Sequence, residues 1–394
     1  MAAGNNAPRR GSEQFSTRHV TGLIVHSMTA MAATLTLAPD EALDETAFRL
    51  DFRSDTITQP TQAMREAMRT ARVGDDVFSE DPSINALEAR AAQIFGKEAA
   101  LFVTSGTQGN LLALLSQTHP GEEVIAEAGA HMANSEVGGA ARLGGLTVRT
   151  VVGRAGKISP EQVASTVRPE NVHFARTTLL AVENTHNNAG GTILRAEEMD
   201  RLAETARSCG LKIHVDGARI FNAAIGLGVE PLRLARHADT LTFCLSKGLS
   251  APVGSVLVGS NAVIDEARRY RKMIGGGMRQ AGVLAAAGLV ALDTGIDRLA
   301  DDHRRARRLA EGLARVPGVS IDLASVQTNI VRFDIAGVGL SAAGLAEGFQ
   351  QHGVRISGGP GTGVRMVAHR HIDDASVDLA LEAMVSIAAK SSNS

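Results

Sequence analysis

Short apolar runs, each bounded by glycine or polar turns, recur along this chain and alternate with stretches of helical period. Residues 99–104, 123–126, 179–183, 211–216, 240–245 and 255–258 read as buried strands. Between them, residues 62–69, 83–95, 110–116, 196–209 and 262–271 read as helices. Alternation of this kind predicts an α/β fold, a mostly parallel sheet covered on both faces. From about Ala281 the pattern changes. A long helical stretch leads into short strands at 320–323, 329–335, 354–356 and 364–368, with helices at 342–352 and 373–389. These predict a large domain over residues 48–280 and a smaller α+β C-terminal domain over 281–394. Residues 1–47 have no sustained period and are rich in Ala, Thr, Ser and Asn. They are expected to be a disordered extension or an over-long start. Arg9, Arg10 and Arg18 beside Leu23-Ile24-Val25 also allow a transit-peptide reading.

Composition narrows the class. The chain has 394 residues, 44% of them hydrophobic, and a net charge of -2. That is ample for a large core and argues against nucleic acid or an anionic membrane as the main partner. The basic run His303-Arg304-Arg305-Ala306-Arg307-Arg308 reads as a solvated helix face. Residues 281–292 are too short and too glycine-interrupted to span a bilayer. Two cysteines, Cys209 and Cys244, lack metal-ligand spacing and fit a reducing, cytoplasmic setting.

The candidate chemistry gathers after the strands. Lys247, in Ser246-Lys247-Gly248, stands at the mouth of a buried strand. A lysine amine there can form a Schiff base with a carbonyl, or simply snorkel to water. Ser105-Gly106-Thr107 joins a strand to an apolar helix, so free amides, hydroxyls and the helix dipole converge on an anion site. His131 follows a strand, where ligands of parallel sheets bind. His186 sits in the polar loop Asn184-Thr185-His186-Asn187-Asn188 after another. Asp216 ends a strand; it could pair with Arg219, or hold a proton on a ring nitrogen, as pyridoxal phosphate requires. Anion turn, strand-end aspartate and lysine together supply what that cofactor needs. In the acidic loop, Asp75 and Asp76 could bind a cation or cap the loop's own backbone. Lys272 and Arg279 flank Gly275-Gly276-Gly277, and Arg365 is a candidate carboxylate clamp.

These residues stand in motifs that resemble the low-specificity L-threonine aldolases, pyridoxal phosphate enzymes of fold type I grouped with the β-eliminating lyases. The motifs are Asp51-Phe52-Arg53-Ser54-Asp55-Thr56, the acidic loop, Ser105-Gly106-Thr107, Glu183-Asn184-Thr185-His186-Asn187, Asp216-Gly217-Ala218-Arg219, Leu245-Ser246-Lys247-Gly248 and residues 275–280. The resemblance implies a transferase-like large domain with pyridoxal 5'-phosphate on Lys247. It implies that Asp216 pairs with the pyridine nitrogen, that His131 stacks on the ring, and that Ser105, Gly106 and Thr107 hold the phosphate. It also sets His186 near the substrate's β-hydroxyl and Ser54, Arg219 and Arg365 on its carboxylate. Lys272 and Arg279 would reach the phosphate of a neighbouring subunit in a homotetramer built from dimers. Phe78, Ser79, Ser250, Ala368 and residues 132–135 depart from the commoner pattern; glycine is usual at the positions of Ser79 and Ser250.

The implied reaction is retro-aldol cleavage of an L-3-hydroxy-α-amino acid, with His186, His131 or a water as base. A β-eliminating lyase or an amino-acid racemase would share the same cofactor site. A non-catalytic ligand-binding protein would not need the lysine, aspartate and histidines together.

Overall fold

The computed structural model describes residues 49–391, so the expected extension at 1–47 lies outside the described residues. The strands are β1 (Ala99–Val103), β2 (Glu123–Glu127), β3 (Thr147–Val151), β4 (Thr177–Glu183), β5 (Lys212–Asp216), β6 (Thr240–Cys244), β7 (Ser255–Gly259), β8 (Ile330–Asp334) and β9 (Gly363–Val367). The helices of eight residues or more are α1 (Gln62–Arg69), α2 (Pro82–Phe95), α3 (Gly106–Leu115), α4 (Ala196–Ser208), α5 (Ile220–Leu227), α6 (Asn261–Met273), α7 (Gly282–Thr294), α8 (Leu299–Leu313), α9 (Ala342–Gln351) and α10 (Asp374–Ser391).

The first seven strands form one sheet in the order β1-β7-β6-β5-β4-β2-β3. Strands β2 to β6 run parallel, and only β7 is antiparallel to its neighbours. Strands β4 to β7 and β2 are almost wholly buried, as their continuous apolar runs predict for a sheet covered on both faces. Phe95, Phe221 and Phe243 meet between helices and sheet at centroid distances of 5.2, 5.3 and 5.5 Å. Helix α7 contributes Ala285, Ala287 and Leu292 to this core. A second core, including Leu309, Val331, Phe349, Met366 and Met384, lies around the antiparallel pair β8–β9. The arm at Phe52 belongs to that second core, and its backbone bonds Arg355 and Val367. The arm is thus pinned to residues 355 and 367, which carries Asp55 to Arg219 in the turn after β5.

Several local expectations change. Residues 320–323 form no strand: Ser320 makes an isolated bridge to Asp334, while Asp322 caps a single turn at Leu323–Ser325. Residues 354–356 give only a bridge from Arg355 to Asp51, because the arm supplies one extended residue there. The long helical stretch from Ala281 breaks after Thr294 into α7 and α8. Edge strand β3 escaped the pattern because its residues are partly exposed and carry no apolar run. On α8 the basic run is not merely solvated: Arg304 and Arg308 pair with Asp374 and Asp378 of α10. Ser79 and Ser250 hold φ of 59° and 67°, the left-handed region glycine enters most easily.

The acidic loop is closed by its own backbone and by arginines. Asp75 accepts the Val77 amide at 2.9 Å and pairs with Arg279 at 3.0 Å. Asp76 meets Arg271 at 2.6 Å, so guanidinium groups stand where the sequence allowed a cation. Asp81 caps α2 through the Ser83 and Ile84 amides at 3.1 Å, and also accepts the Gly282 amide at 2.8 Å. A Cβ on Gly282 would lie 2.3 Å from the Asp81 carboxylate. Gly282→Ala should therefore destabilise the protein by about 1–3 kcal/mol, because α7 can no longer approach the cap. A denaturation midpoint equal to that of the wild type would refute this.

Candidate active site

Strand order brings the chemistry to one place. The carboxyl ends of β4, β5 and β6 carry Glu183, Asp216 and the loop to Lys247, while α3 points its N-terminus at the same spot. A pocket of about 330 Å³ opens there, lined by Ser54, Ser105, Gly106, Thr107, His131, Asp216, Arg219, Lys247 and Arg365 among the expected residues. These nine come from elements far apart in sequence, and the parallel register assembles them.

Ser105 caps α3: its hydroxyl oxygen accepts the Gln108 amide at 3.2 Å, leaving its own hydrogen free to donate. The amides at the start of α3 have no partner within the helix, so the turn is an anion cradle of amides and hydroxyls. At Gly106 the fit is tight, since a Cβ there would lie 3.0 Å from Cys244 Sγ.

Asp216 accepts Asn110 Nδ2 at 2.8 Å and the Ala218 amide at 3.1 Å; it does not pair with Arg219. Arg219 instead makes a buried two-point pair with Asp55, at 2.6 and 2.7 Å, and donates to Asn187 at 3.3 Å. Burial would raise the Asp55 carboxyl, but the Arg219 guanidinium outweighs it and holds it well below the usual carboxylate range. Of the two clamp arginines, Arg365 is the one left open: its Nε is buried with no hydrogen-bond partner. Burial first, and then the neighbouring Arg219, push its guanidinium down, so a substrate anion would relieve it.

His131 enters the pocket with its ring anchored, Nδ1 lying 2.9 Å from Glu136 Oε1. Its backbone amide donates to Glu183 at 2.6 Å. The contact with Glu136 raises the imidazole above its ordinary value of 6.5. His186 is elsewhere. It is 3% exposed, packs against Gly156, and has Nε2 3.0 Å from Glu127 Oε2, behind the loop rather than on the pocket wall. Lys272 borders a separate cavity with Arg268 and Gly277, and Arg279 is exposed beside Asp75, so neither lines this pocket within one chain.

Sequence reasoning did not single out Asn110, Glu136 or Cys244 as site residues. Asn110 had a signal, being the one strongly polar residue in the otherwise apolar run Asn110-Leu111-Leu112-Ala113-Leu114-Leu115. Glu136 and Cys244 had none, since their roles depend on what folds against them. His131, Glu136 and Asp216 each bring one ligating atom within 4.8 Å of the others, but the Asn110 amide donates to both acids, which argues for a hydrogen-bonded cluster.

Pyridoxal phosphate fits this donor set. An anion cradle, a primary amine, a strand-end carboxylate and a half-buried guanidinium with an unpartnered Nε share one cavity of suitable size.

Comparison with known proteins gives the family. The β-eliminating lyase family matches residues 51–336. The low-specificity L-threonine aldolase of Escherichia coli (strain K12) is 44% identical over 341 residues, covering 86% of this chain and 97% of that protein. Low-specificity L-threonine aldolase 1 of Arabidopsis thaliana is 43% identical over 337 residues, covering 84% and 94%. Among solved structures, a putative L-allo-threonine aldolase from Listeria monocytogenes superposes with a TM-score of 0.72 at 18% identity, covering 87% of this chain and 98% of that one. The Leishmania major threonine aldolase gives 0.72 at 19% identity, covering 86% and 99%. The two structural likenesses establish the fold.

The His131–Glu136 contact is open to direct measurement. Because the folded value is raised, its contribution to stability is complete below pH 6.5 and is lost as pH rises through the folded value. The His131 ring proton followed by NMR should titrate above 6.5, and Glu136→Gln should bring the midpoint down. An unchanged midpoint would sever the pair.

Proposed function

The chain belongs to the β-eliminating lyase family, in its threonine aldolase branch, and we propose that this pocket cleaves L-threonine, L-allo-threonine and related L-3-hydroxy-α-amino acids with pyridoxal 5'-phosphate. The reaction is retro-aldol cleavage to glycine and an aldehyde. The observation that carries the reading is a single cavity lined by Lys247, Asp216, the Ser105-Gly106-Thr107 cradle and the unpaired Arg365.

Ser105, Gly106 and Thr107 would hold the cofactor's phosphate, Lys247 its aldehyde carbon, Asp216 its ring nitrogen and His131 one face of the ring. When bound, the cofactor supplies a sink for the electron pair released as the Cα–Cβ bond breaks. The chain's own groups do the rest. Arg365, with Ser54 beside it in the pocket wall, takes the substrate carboxylate, and that grip sets the direction of the Cα–Cβ bond. Arg219 supports the clamp, since Asp55 holds two of its five donors and Asn187 a third. Of the two expected histidines only His131 lines the pocket, so it, or a water it positions, takes the proton of the β-hydroxyl. His186 steadies the loop that carries Asn187, the acceptor for Arg219.

The same geometry supports an oligomer with shared sites. Lys272 and Arg279 are cations outside their own pocket, on a segment whose glycines allow close approach. In a homotetramer built from dimers they would complete the phosphate site of the neighbour. Free Cys209 and Cys244 fit a cytoplasmic enzyme. No helix among the described residues is long and apolar enough to cross a membrane.

Lys247→Ala should lose the borohydride-trappable link to the cofactor together with nearly all threonine cleavage; a variant keeping both would refute the assignment. Arg365→Ala should raise KM for threonine by about 10- to 100-fold, the loss expected for one charge-assisted contact. Release of ammonia and a keto acid, or of the D-amino acid, in place of glycine and aldehyde would favour the lyase or racemase instead.

The shared site is tested by mixing. Co-expressed Lys247→Ala and Arg279→Ala subunits should recover activity above the weighted sum of the parents, because one mixed site holds both intact residues. Mixed dimers with no gain would assign Arg279 to its own subunit.

A further inference from the structure

A line of buried polar side chains crosses the sheet behind the pocket, and each of its hydrogen bonds has a forced direction. At the far end, Gln117 Nε2 lies 2.8 Å from the Ala113 carbonyl and 2.7 Å from Thr240 Oγ1. A carbonyl only accepts, so the atom facing it is the amide nitrogen. The second hydrogen of that nitrogen goes to the Thr240 oxygen, and the Thr240 hydroxyl is left to donate. Its neighbour is His214 Nδ1, 2.8 Å away. The contact exists because β5 and β6 pair with His214 opposite Thr240.

The near end is forced independently. Asn110 Nδ2 lies 2.8 Å from Glu136 Oε1 and 2.8 Å from Asp216 Oδ2. Turning the amide over would set its oxygen against two carboxylates, so the nitrogen must face them. Asn110 Oδ1 then accepts from His214 Nε2 at 3.1 Å. Both ends therefore demand the same histidine: neutral, with its hydrogen on Nε2. Burial keeps it neutral, lowering its pKa to about 4 against Asp216 and the Thr240 backbone, which both raise it.

We propose that Asn110 is a positioning residue for Asp216, aimed by the directed line Gln117–Thr240–His214, and that its amide ties the Asp216 carboxylate to the Glu136–His131 pair. The proposal rests on the reading in which Asp216 faces the ring nitrogen and His131 the ring face. One Asn110 hydrogen and the Ala218 amide at 3.1 Å hold the two Asp216 oxygens, so the carboxylate cannot rotate freely. The other Asn110 hydrogen goes to the same Glu136 oxygen that lies 2.9 Å from His131 Nδ1. A single amide thus fixes Asp216 and His131 relative to one another, the two residues that would meet a bound cofactor.

The first test needs no cofactor. Nitrogen NMR of histidine-labelled, cofactor-free protein should find His214 as the neutral Nε2–H tautomer throughout the neutral pH range. A hydrogen on Nδ1, or protonation in that range, would overturn the directed line. The second test separates donation from packing. Asn110→Leu keeps the size of the side chain but has no donor, whereas Asn110→Ala leaves room for a water that can donate to both acids. Asn110→Leu should lower kcat for threonine by about 10- to 100-fold with KM nearly unchanged, and Asn110→Ala should be less impaired. A packing role would reverse that order, since the smaller residue leaves the larger cavity. The Leu variant should also move the NMR midpoint of His131 in the cofactor-free protein. Asp216→Asn is measured beside them. If it is impaired while Asn110→Leu is not, the positioning role fails and the reading of Asp216 stands. If neither is impaired, the reading of Asp216 fails with it.

Discussion

The pocket depends on one buried ion pair. Asp55 and Arg219 are nearly without solvent exposure and meet through two parallel hydrogen bonds. Asp55 comes from the N-terminal arm and Arg219 from the turn after β5, and Asn329, just before β8, donates to the same Asp55 carboxylate at 3.2 Å. Arm, large sheet and small sheet are therefore joined at a single point. A pair this buried adds little net stability, since desolvation cancels most of the attraction. What it provides is geometry: neither charge tolerates separation from the other, so the three elements that carry Ser54, Asp216 and Arg365 are held in register.

Around that pair the site is a balance of unlike charges brought in by strand ends. Glu183 and Asp216 lie opposite one another in the β4–β5 register, two acids side by side. Burial raises the Glu183 carboxyl, and the neighbouring Asp216 raises it further. Glu183 is held by the amides of His131 and Asn187, and Asp216 by Asn110 and Ala218. The cationic side is less satisfied, with the half-buried Arg365 leaving its Nε unpaired. For the proposed substrate carboxylate this imbalance is an advantage, because the ligand would complete what folding leaves open.

The architecture explains why such a balance is affordable here. The acids and their donors sit on the ends of a fully packed parallel sheet, where backbone movement is small and side-chain directions follow from strand register. The loops between strands can then carry groups whose arrangement costs stability, such as the left-handed Ser250 three residues after Lys247.

Much of this was legible in the chain. Apolar runs and their spacing identified the α/β class and the buried strands, because a sheet covered on both faces requires continuous hydrophobic segments. The motifs named Lys247, Asp216 and Ser105-Gly106-Thr107, and the resemblance added roles for His131 and Arg365; all of these line the pocket. Residues 320–323 were misread and strand β3 missed because they are partly exposed, whereas 354–356, with Val354 and Ile356 buried, falls short of a strand because the arm pairs with Arg355 alone. Which polar groups meet was decided only by the tertiary structure. It gave Arg219 to Asp55, set His186 against Glu127, matched the acidic loop with arginines, and ran a hydrogen-bonded line from Gln117 to Asp216. The reason is range. Hydrophobic period is written within a few neighbouring residues, whereas a buried polar group is satisfied by whatever partner strand register brings to it, often a hundred residues away.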